Sequence, residues 1–221
     1  MHSYSPLKAV IWDMDGVLID SLPTHFKAWQ VILERCGYHY TYQQMTPYFG
    51  MTDTTVLRTI AGERFSDSEV TAMAHEKEGI YQDMIVREAQ PMAGVVAWLE
   101  NFRAAGLKQA LASSSVAKSI TLILDAMRLN AYFDAVVSGE GGPSKPNPLV
   151  FLRAAEQLGV LPQDCLVMED AVVGVKAAKA AGMRCVAVTS TNPAEKLGEA
   201  DLIVERFSQL TAASLRAMLE E

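Results

Sequence analysis

Four carboxylates stand directly after short apolar runs: Asp13 and Asp15 follow Val10-Ile11-Trp12, and Glu169 and Asp170 follow Val167-Met168. Taken singly, an acid in such a place is ordinarily a helix cap or a turn residue. Gathered at one edge of a sheet, four carboxylates repel one another unless a cation or raised pKa values relieve the repulsion. An all-oxygen donor set with no His or Cys nearby selects a hard ion, Mg²⁺. Two further positions are of the anion-binding kind. Ser113 opens Ser113-Ser114-Ser115 and offers a hydroxyl near the free N–H groups of a helix start, and Lys145, in Pro143-Ser144-Lys145-Pro146, supplies a mobile positive charge. Acids, a divalent metal, a hydroxyl and a lysine can together hold a phosphoryl group and neutralise it enough for a carboxylate to approach.

These residues can act together only if the runs are strands of one sheet. Runs at 7–12, 107–112, 135–138, 165–168, 185–188 and 202–204 are too short for independent helices and rich in Val, Ile and Leu, which predicts strands buried on both faces of a parallel sheet. Amphipathic segments at 116–127, 148–158, 172–181 and 207–219 follow most of them. The alternation predicts a doubly wound α/β domain with its ligands beyond the carboxyl ends of the strands. From about Asp20 to Met92 nothing reads as a strand. Gly37, Pro47, Gly50 and Gly62 divide that interval into short helices, and Ser66-Asp67 precede a long one with Val70, Met73, Ala74 and Lys77 at helical spacing. The reading is a helical insert that sits as a lid over the sheet edge and moves about linkers near 17–20 and 88–92.

Composition narrows the classes of function. The 221 residues, 50% apolar and 20% charged, suit one globular domain with an insert, or two small domains sharing a core. Nineteen basic against 26 acidic residues give a net charge of −7, which leaves no large basic face for nucleic acid. Cys36, Cys165 and Cys185 are odd in number and widely spaced, so they read as reduced, buried thiols rather than a disulfide framework or a metal knuckle. No apolar run approaches the roughly 18 residues of a membrane span, and residues 1–8 carry no basic segment leading into an apolar one. The expectation is a cytoplasmic protein, a monomer or weak dimer, whose partner is a small phosphorylated metabolite and neither nucleic acid nor membrane.

Asp13-Met14-Asp15-Gly16-Val17-Leu18-Ile19-Asp20-Ser21, Ser113, Lys145-Pro146 and Glu169-Asp170-Ala171-Val172-Val173-Gly174, in that order, resemble the four signature motifs of the haloacid dehalogenase-like hydrolase superfamily. The match spans nearly the whole chain. The insert lies where the subgroup with an α-helical cap carries one, a subgroup that includes β-phosphoglucomutases and sugar-phosphate phosphatases. The resemblance implies a Rossmann-like core of residues 1–19 and 91–221 and a cap domain of residues 20–90. It implies that Asp13 attacks phosphorus to form an aspartyl-phosphate and that Asp15 serves as general acid and then general base. It also implies Mg²⁺ held by a carboxylate oxygen of Asp13, the backbone carbonyl of Asp15 and the side chain of Asp170, with Glu169 a ligand through water or an orienting group. Ser113 and Lys145 would hold the phosphoryl oxygens, Lys145 also pairing with Asp13, and Gly16 would give the tight turn that lets the strand end face the metal. True dehalogenases of the superfamily lack an acid at the position of Asp15, so its presence points to phosphoryl transfer.

Within the insert, His25 resembles the cap-hinge histidine of β-phosphoglucomutases and Lys77 their cap lysine, a residue also found in related phosphatases. Both also have ordinary readings, as a packed histidine and a solvated helix lysine. Mutases of this type carry an arginine three residues after a cap glycine, where it grips the second phosphate of a bisphosphorylated intermediate. Here Gly50-Met51-Thr52 is followed by Asp53, and Arg58 lies too far along to replace it. An acid at that position would repel a distal phosphate by roughly a few kcal/mol at contact distance. The reading is therefore a phosphatase of a small, singly phosphorylated sugar or polyol, with Asp53 accepting a hydrogen bond from a substrate hydroxyl and Ser114 joining the substrate contacts. A phosphomutase is the alternative, and a non-catalytic phosphate-binding protein ranks below both.

Overall fold

Ala9-Val10-Ile11-Trp12 is wholly apolar in side-chain character, and a strand so composed is stable only when covered on both faces. In the computed structural model, which describes residues 7–220, this run is fully buried at the centre of a six-stranded sheet. Residues 1–6 and 221 lie outside the described residues, and with them the two outer ends of the expected core and most of the expected chain start. The strands are β1 (Ala9–Trp12), β2 (Lys108–Ser113), β3 (Ala135–Ser138), β4 (Cys165–Glu169), β5 (Arg184–Val188) and β6 (Leu202–Val204). All pairings are parallel, in the order β3-β2-β1-β4-β5-β6. The first two strands begin one or two residues later than the apolar runs that announce them.

The period-two alternation of a strand sends neighbouring residues to opposite faces. Val10 and Trp12 join Leu111, Leu166, Met168 and Val186 on one face. Ala9 and Ile11 join Ala110, Ala112, Val167 and Cys185 on the other. Apart from the first residues of β2 and β5, Lys108 and Arg184, burial on both faces fails at the margins, where Val136 of β3 is exposed and β6 is half-buried along its length. Those are the edge strands, each covered by a single neighbour. Cys165 and Cys185 are buried thiols as expected, whereas Cys36 is only half-buried.

Of the five α-helices between β1 and β2, the first four are α1 (Leu22–Arg35), α2 (Tyr42–Met45), α3 (Asp53–Ala61) and α4 (Asp67–Glu88). The start of α4 is set by a reciprocal capping box in which the Ser66 hydroxyl accepts from the Glu69 amide and Glu69 accepts from the Ser66 amide. Leu22, Trp29, Ile32, Leu33, Met45, Phe49, Val56, Leu57 and Val70 form an apolar cluster of their own, separate from the two that line the sheet. After it come α5 (Val95–Ala104), α6 (Ala117–Met127), α7 (Leu149–Leu158), α8 (Val172–Ala180) and α9 (Ala212–Glu220). Side chains of α5, α6 and α9 cover one face of the sheet, and those of α7 and α8 the other. The two chain segments that lead into and out of the inserted helices run side by side, joined by an Ile19–Pro91 bridge and by the Met92 amide donating to the Leu18 carbonyl at 2.8 Å.

An insert with a core of its own carries a predictable sensitivity. Ile32→Ala removes a fully buried side chain from that cluster and should cost about 2–5 kcal/mol. Urea unfolding followed by circular dichroism reads the change, and a loss below about 1 kcal/mol would show that the cluster contributes little.

Candidate active site

In the strand order observed, the crevice where the order reverses lies between β1 and β4. Asp13 leaves the end of β1 with its amide donating to the Met168 carbonyl at 3.0 Å, so it stays in register beside the end of β4, which carries Glu169 and then Asp170. One carboxylate oxygen from each of these three acids lies within 4.8 Å of the other two. Lys145 enters from the loop after β3 and donates to Asp13 Oδ1 at 2.6 Å and Glu169 Oε1 at 2.7 Å. It is fully buried, with Nζ over the Phe151 ring, so it is a fixed charge and not the mobile one expected.

The electrostatics of this group leave negative charge that a cation or a proton can relieve. Three carboxylates against one ammonium leave an excess of two negative charges in a buried place. Burial, reinforced by Glu169 and Asp15 and opposed by Lys145, pushes the Asp13 carboxyl up to about 8. Asp170 is raised well above the ordinary carboxylate range, by burial first and then by Glu169 and Asp13. Lys145 goes the other way: burial works against its charge, but Asp13 and Glu169 outweigh it and hold the ammonium above its ordinary value. An all-oxygen trio carrying this excess fits a hard divalent cation.

Each acid is held by identifiable neighbours. Glu169 Oε2 accepts the Asp170 amide at 2.7 Å and the Ala171 amide at 2.8 Å, which pins it at the start of α8. A Cβ on Gly174 would collide with its carboxylate, so the small residue one turn into α8 is a steric requirement. Asp170 Oδ2 accepts from the hydroxyls of Thr191 and Ser190, and Ser190 also donates to the Gly16 carbonyl at 2.6 Å. Gly16 has φ +83°, and a Cβ there would run into Asp170. Residues 189–192 directly follow the fifth apolar run, so the rule that drew attention to the other strand ends would have found Ser190 and Thr191 as well.

Asp15 does not join the trio. Its carboxylate turns toward the inserted helices, where Oδ1 accepts from Ser21 Oγ, from His25 Nε2 at 3.1 Å and from Tyr81 OH at 3.4 Å, and Oδ2 accepts from Ser115 Oγ at 2.9 Å. Of the four carboxylates expected at one edge, three therefore lie close together, while that of Asp15 is engaged by Ser21, His25, Tyr81 and Ser115. Burial alone would raise Asp15, but the pull of His25 and the hydrogen bonds from His25, Ser21 and Ser115 outweigh it and hold the carboxyl below the ordinary range.

The serines divide differently from the expectation. Ser113 ends β2, is fully buried, and accepts the Ser115 amide on its hydroxyl at 3.0 Å. It therefore shapes the turn, while α6 begins only at Ala117. Ser114 donates to the Gly50 carbonyl at 2.8 Å and so ties the core to the insert. The Thr52 amide donates to Ser144 Oγ at 3.0 Å and forms a second tie.

His25 and Lys77 are both buried, which excludes a solvated lysine. The His25 ring stacks on Tyr81 with centroids 3.8 Å apart. Lys77 Nζ lies 2.8 Å from His25 Nδ1 and 2.9 and 3.1 Å from the two oxygens of Asp53. A neighbouring ammonium makes Nδ1 the acceptor, so the ring proton sits on Nε2 and is donated to Asp15. Asp53, Lys77, His25 and Asp15 thus form one continuous chain of polar contacts. Tyr81 lies one turn beyond Lys77 on the same face of α4, a spacing that could have flagged it in advance. Arg58 lies apart from these groups, paired with Asp67 and the Phe65 carbonyl. A cavity of about 430 Å³ opens between the strand ends and the insert, with Asp13 and Asp15 on one side and Trp29, Asp53 and Lys77 on the other.

The sequence model of the haloacid dehalogenase-like hydrolases matches residues 10–188, and the chain belongs to that family. It is 34% identical over 188 residues to the fructose-1-phosphate phosphatase YqaB of Escherichia coli, covering 84% of this chain and 98% of that protein. It is 33% identical over 224 residues to the β-phosphoglucomutase of Bacillus subtilis, covering 97% and 96%. Among solved structures, the β-phosphoglucomutase of Clostridium difficile superposes with a TM-score of 0.85 at 26% identity, over 97% of each chain. The relatives thus include sugar-phosphate phosphatases and phosphomutases, and no described helix is long and apolar enough to cross a membrane.

A cation that binds the folded acid trio must stabilise the fold. Mg²⁺ at a hundredfold excess over its dissociation constant should add about 2.7 kcal/mol, a rise in thermal midpoint of roughly 5–10 °C, and Asp170→Ala should abolish the rise. Equal shifts in the two proteins, read by scanning calorimetry, would place the ion elsewhere.

Proposed function

We propose that the chain is a Mg²⁺-dependent phosphatase that hydrolyses a small sugar or polyol phosphate through an aspartyl-phosphate on Asp13. The observation that carries this reading is the placement of Asp13, paired with Lys145 and flanked by Glu169 and Asp170, on one wall of a cavity that also contains Asp15. Magnesium at the trio would supply charge that keeps Asp13 ionised and balances the phosphoryl oxygens, with Asp13 and Asp170 as side-chain ligands, the Asp15 backbone carbonyl as another, and Glu169 as their orienting group. Lys145 holds Asp13 in place and contributes positive charge toward the phosphoryl group. Ser113, through the turn it stabilises, presents the following amides to the same group.

Asp13 attacks phosphorus, the bond from phosphorus to the alcohol oxygen breaks, and Asp15 delivers a proton to that oxygen. Water then attacks the aspartyl-phosphate, Asp15 takes its proton, and inorganic phosphate leaves with Asp13 regenerated. The donors around Asp15 favour its ionised form, which is the form required in the second step. Ser21 and His25 belong to the segment entering the insert, so motion of residues 20–90 as a cap about the paired linkers would withdraw donors and let Asp15 take up the proton needed in the first step.

The choice of hydrolysis over mutase chemistry rests on Asp53. A mutase must hold a second phosphate at the far end of its intermediate, and the acid at this place supplies no charge for it. The mutase remains the second reading because a β-phosphoglucomutase matches this chain along almost its whole length. A screen of small phosphate esters, including both anomers of glucose 1-phosphate, read for inorganic phosphate and for isomerised sugar together, decides between them. Phosphate release should dominate; faster conversion of β-glucose 1-phosphate to glucose 6-phosphate would establish the mutase.

Asp13→Asn keeps the shape of the side chain and removes the nucleophile, so phosphate release should fall by several orders of magnitude while the circular dichroism spectrum is unchanged. Near-normal turnover in that variant would rule out Asp13 as the nucleophile. Activity that survives exhaustive chelation would likewise rule out the metal.

A further inference from the structure

Lys77 is the one lysine or arginine among the described residues that line the cavity, so it is the obvious anchor for any second negative charge on a substrate. Its ammonium has three N–H donors. Two are engaged by the oxygens of Asp53, at 2.9 and 3.1 Å, and the third by His25 Nδ1 at 2.8 Å. Glu78 Oε2 lies a further 3.6 Å away and adds negative charge on the same side. Its side chain is 1% exposed and lies between the rings of Trp29 and Tyr81, so while Asp53 and His25 hold its donors Lys77 has none left for a ligand. Asp53 is different: its side chain is 22% exposed, and it faces the cavity with the hydroxyl-bearing Thr52, Thr54 and Thr71 beside it. Glu78 and Glu140 line the same cavity, as do His25 and His75, so its lining holds acids, hydroxyl groups and two imidazoles with Lys77 as its one ammonium.

We infer that Asp53 is a specificity-determining residue: by cancelling Lys77 it makes the cavity reject any substrate with a second anionic group, carboxylate or phosphate, and select phosphate monoesters whose remainder is an uncharged polyol. This rests on the phosphatase reading and deepens it from sugar phosphates in general to those with a neutral far end. The acid acts in two ways. It occupies the lysine donors that an anion would need, and its outer lone pairs accept hydroxyl donors from a polyol. An ester bearing a carboxylate would meet Asp53 with the Lys77 donors already taken.

Sorbitol 6-phosphate and 6-phosphogluconate test this, because both are open-chain six-carbon esters and one carries a carboxylate at the far end. The Mg²⁺-loaded wild type should favour the sorbitol ester in kcat/KM by roughly tenfold or more. Asp53→Asn, which returns donors and net charge to Lys77, should reduce that preference by about tenfold, while Asp53→Glu, which keeps the charge, should retain it. Equal use of the two esters by the wild type, or a preference unaltered in Asp53→Asn, would overturn the assignment. The same discrimination is read as a ratio of dissociation constants by titration calorimetry on Asp13→Asn, with no turnover needed. Calorimetric discrimination without phosphate release from any ester would leave the cavity selective and remove the phosphatase reading. Phosphate release without discrimination would do the reverse.

Discussion

Lys145 between Asp13 and Glu169 is the interaction on which the rest of the site depends. Its two bonds join the end of β1, the loop after β3 and the end of β4, so three strands that are distant in the chain are held at one point. One buried ammonium offsets only one of the two carboxylates it touches, and removing the lysine would leave both charges uncompensated in a dry place. Asp170 adds a charge that the lysine cannot also neutralise. The excess is the physical reason a divalent ion would fit among these three acids.

Asp15 shows how a second acid two residues along can be put to a different use. Asp13 faces a buried lysine and two carboxylates; Asp15 faces a ring of hydroxyls and an imidazole. The two environments move their carboxyl pKa values in opposite directions, up for Asp13 and down for Asp15. Divergence of that kind between neighbouring acids is what the proposed reaction needs, one carboxylate as nucleophile and the other exchanging protons. Most donors to Asp15 come from the segment entering the insert or from α4, so the state of the acid is coupled to the position of the helices above it.

The parts of this architecture set by short-range chemistry were legible before any coordinates. Apolar runs bounded by glycine and polar residues marked the strands, and the missing strand signal between Asp20 and Met92 marked the insert, because period and composition are local properties. The acids at the ends of β1 and β4 could be singled out because a parallel sheet must bring strand ends to one edge. What could not be read were side-chain directions. Whether Lys145 was mobile or buried, whether Asp15 faced the trio or the insert, and whether Lys77 met solvent or Asp53 depend on contacts between residues 24 to more than 100 positions apart. The hydroxyls of Ser190 and Thr191 were overlooked for a simpler reason: serine and threonine after a strand are so often mere turn residues that they attract no attention until the acid they hold is in view.

Asp53 illustrates why such contacts decide function. As an isolated acid it is an obstacle to a distal phosphate by repulsion alone, and repulsion between partly solvated charges is screened. Paired with Lys77 it does more, because it takes up the donors that could have compensated an incoming anion. The pair lies in a buried place where charges are screened least, and burial raises the Asp53 carboxyl even as Lys77 pulls it down. Replacing the acid with an uncharged residue would therefore do more than relieve a repulsion. It would convert a neutralised lysine into a binding group, so that one side chain separates a cavity with no cation to offer a second anion from one that has such a cation.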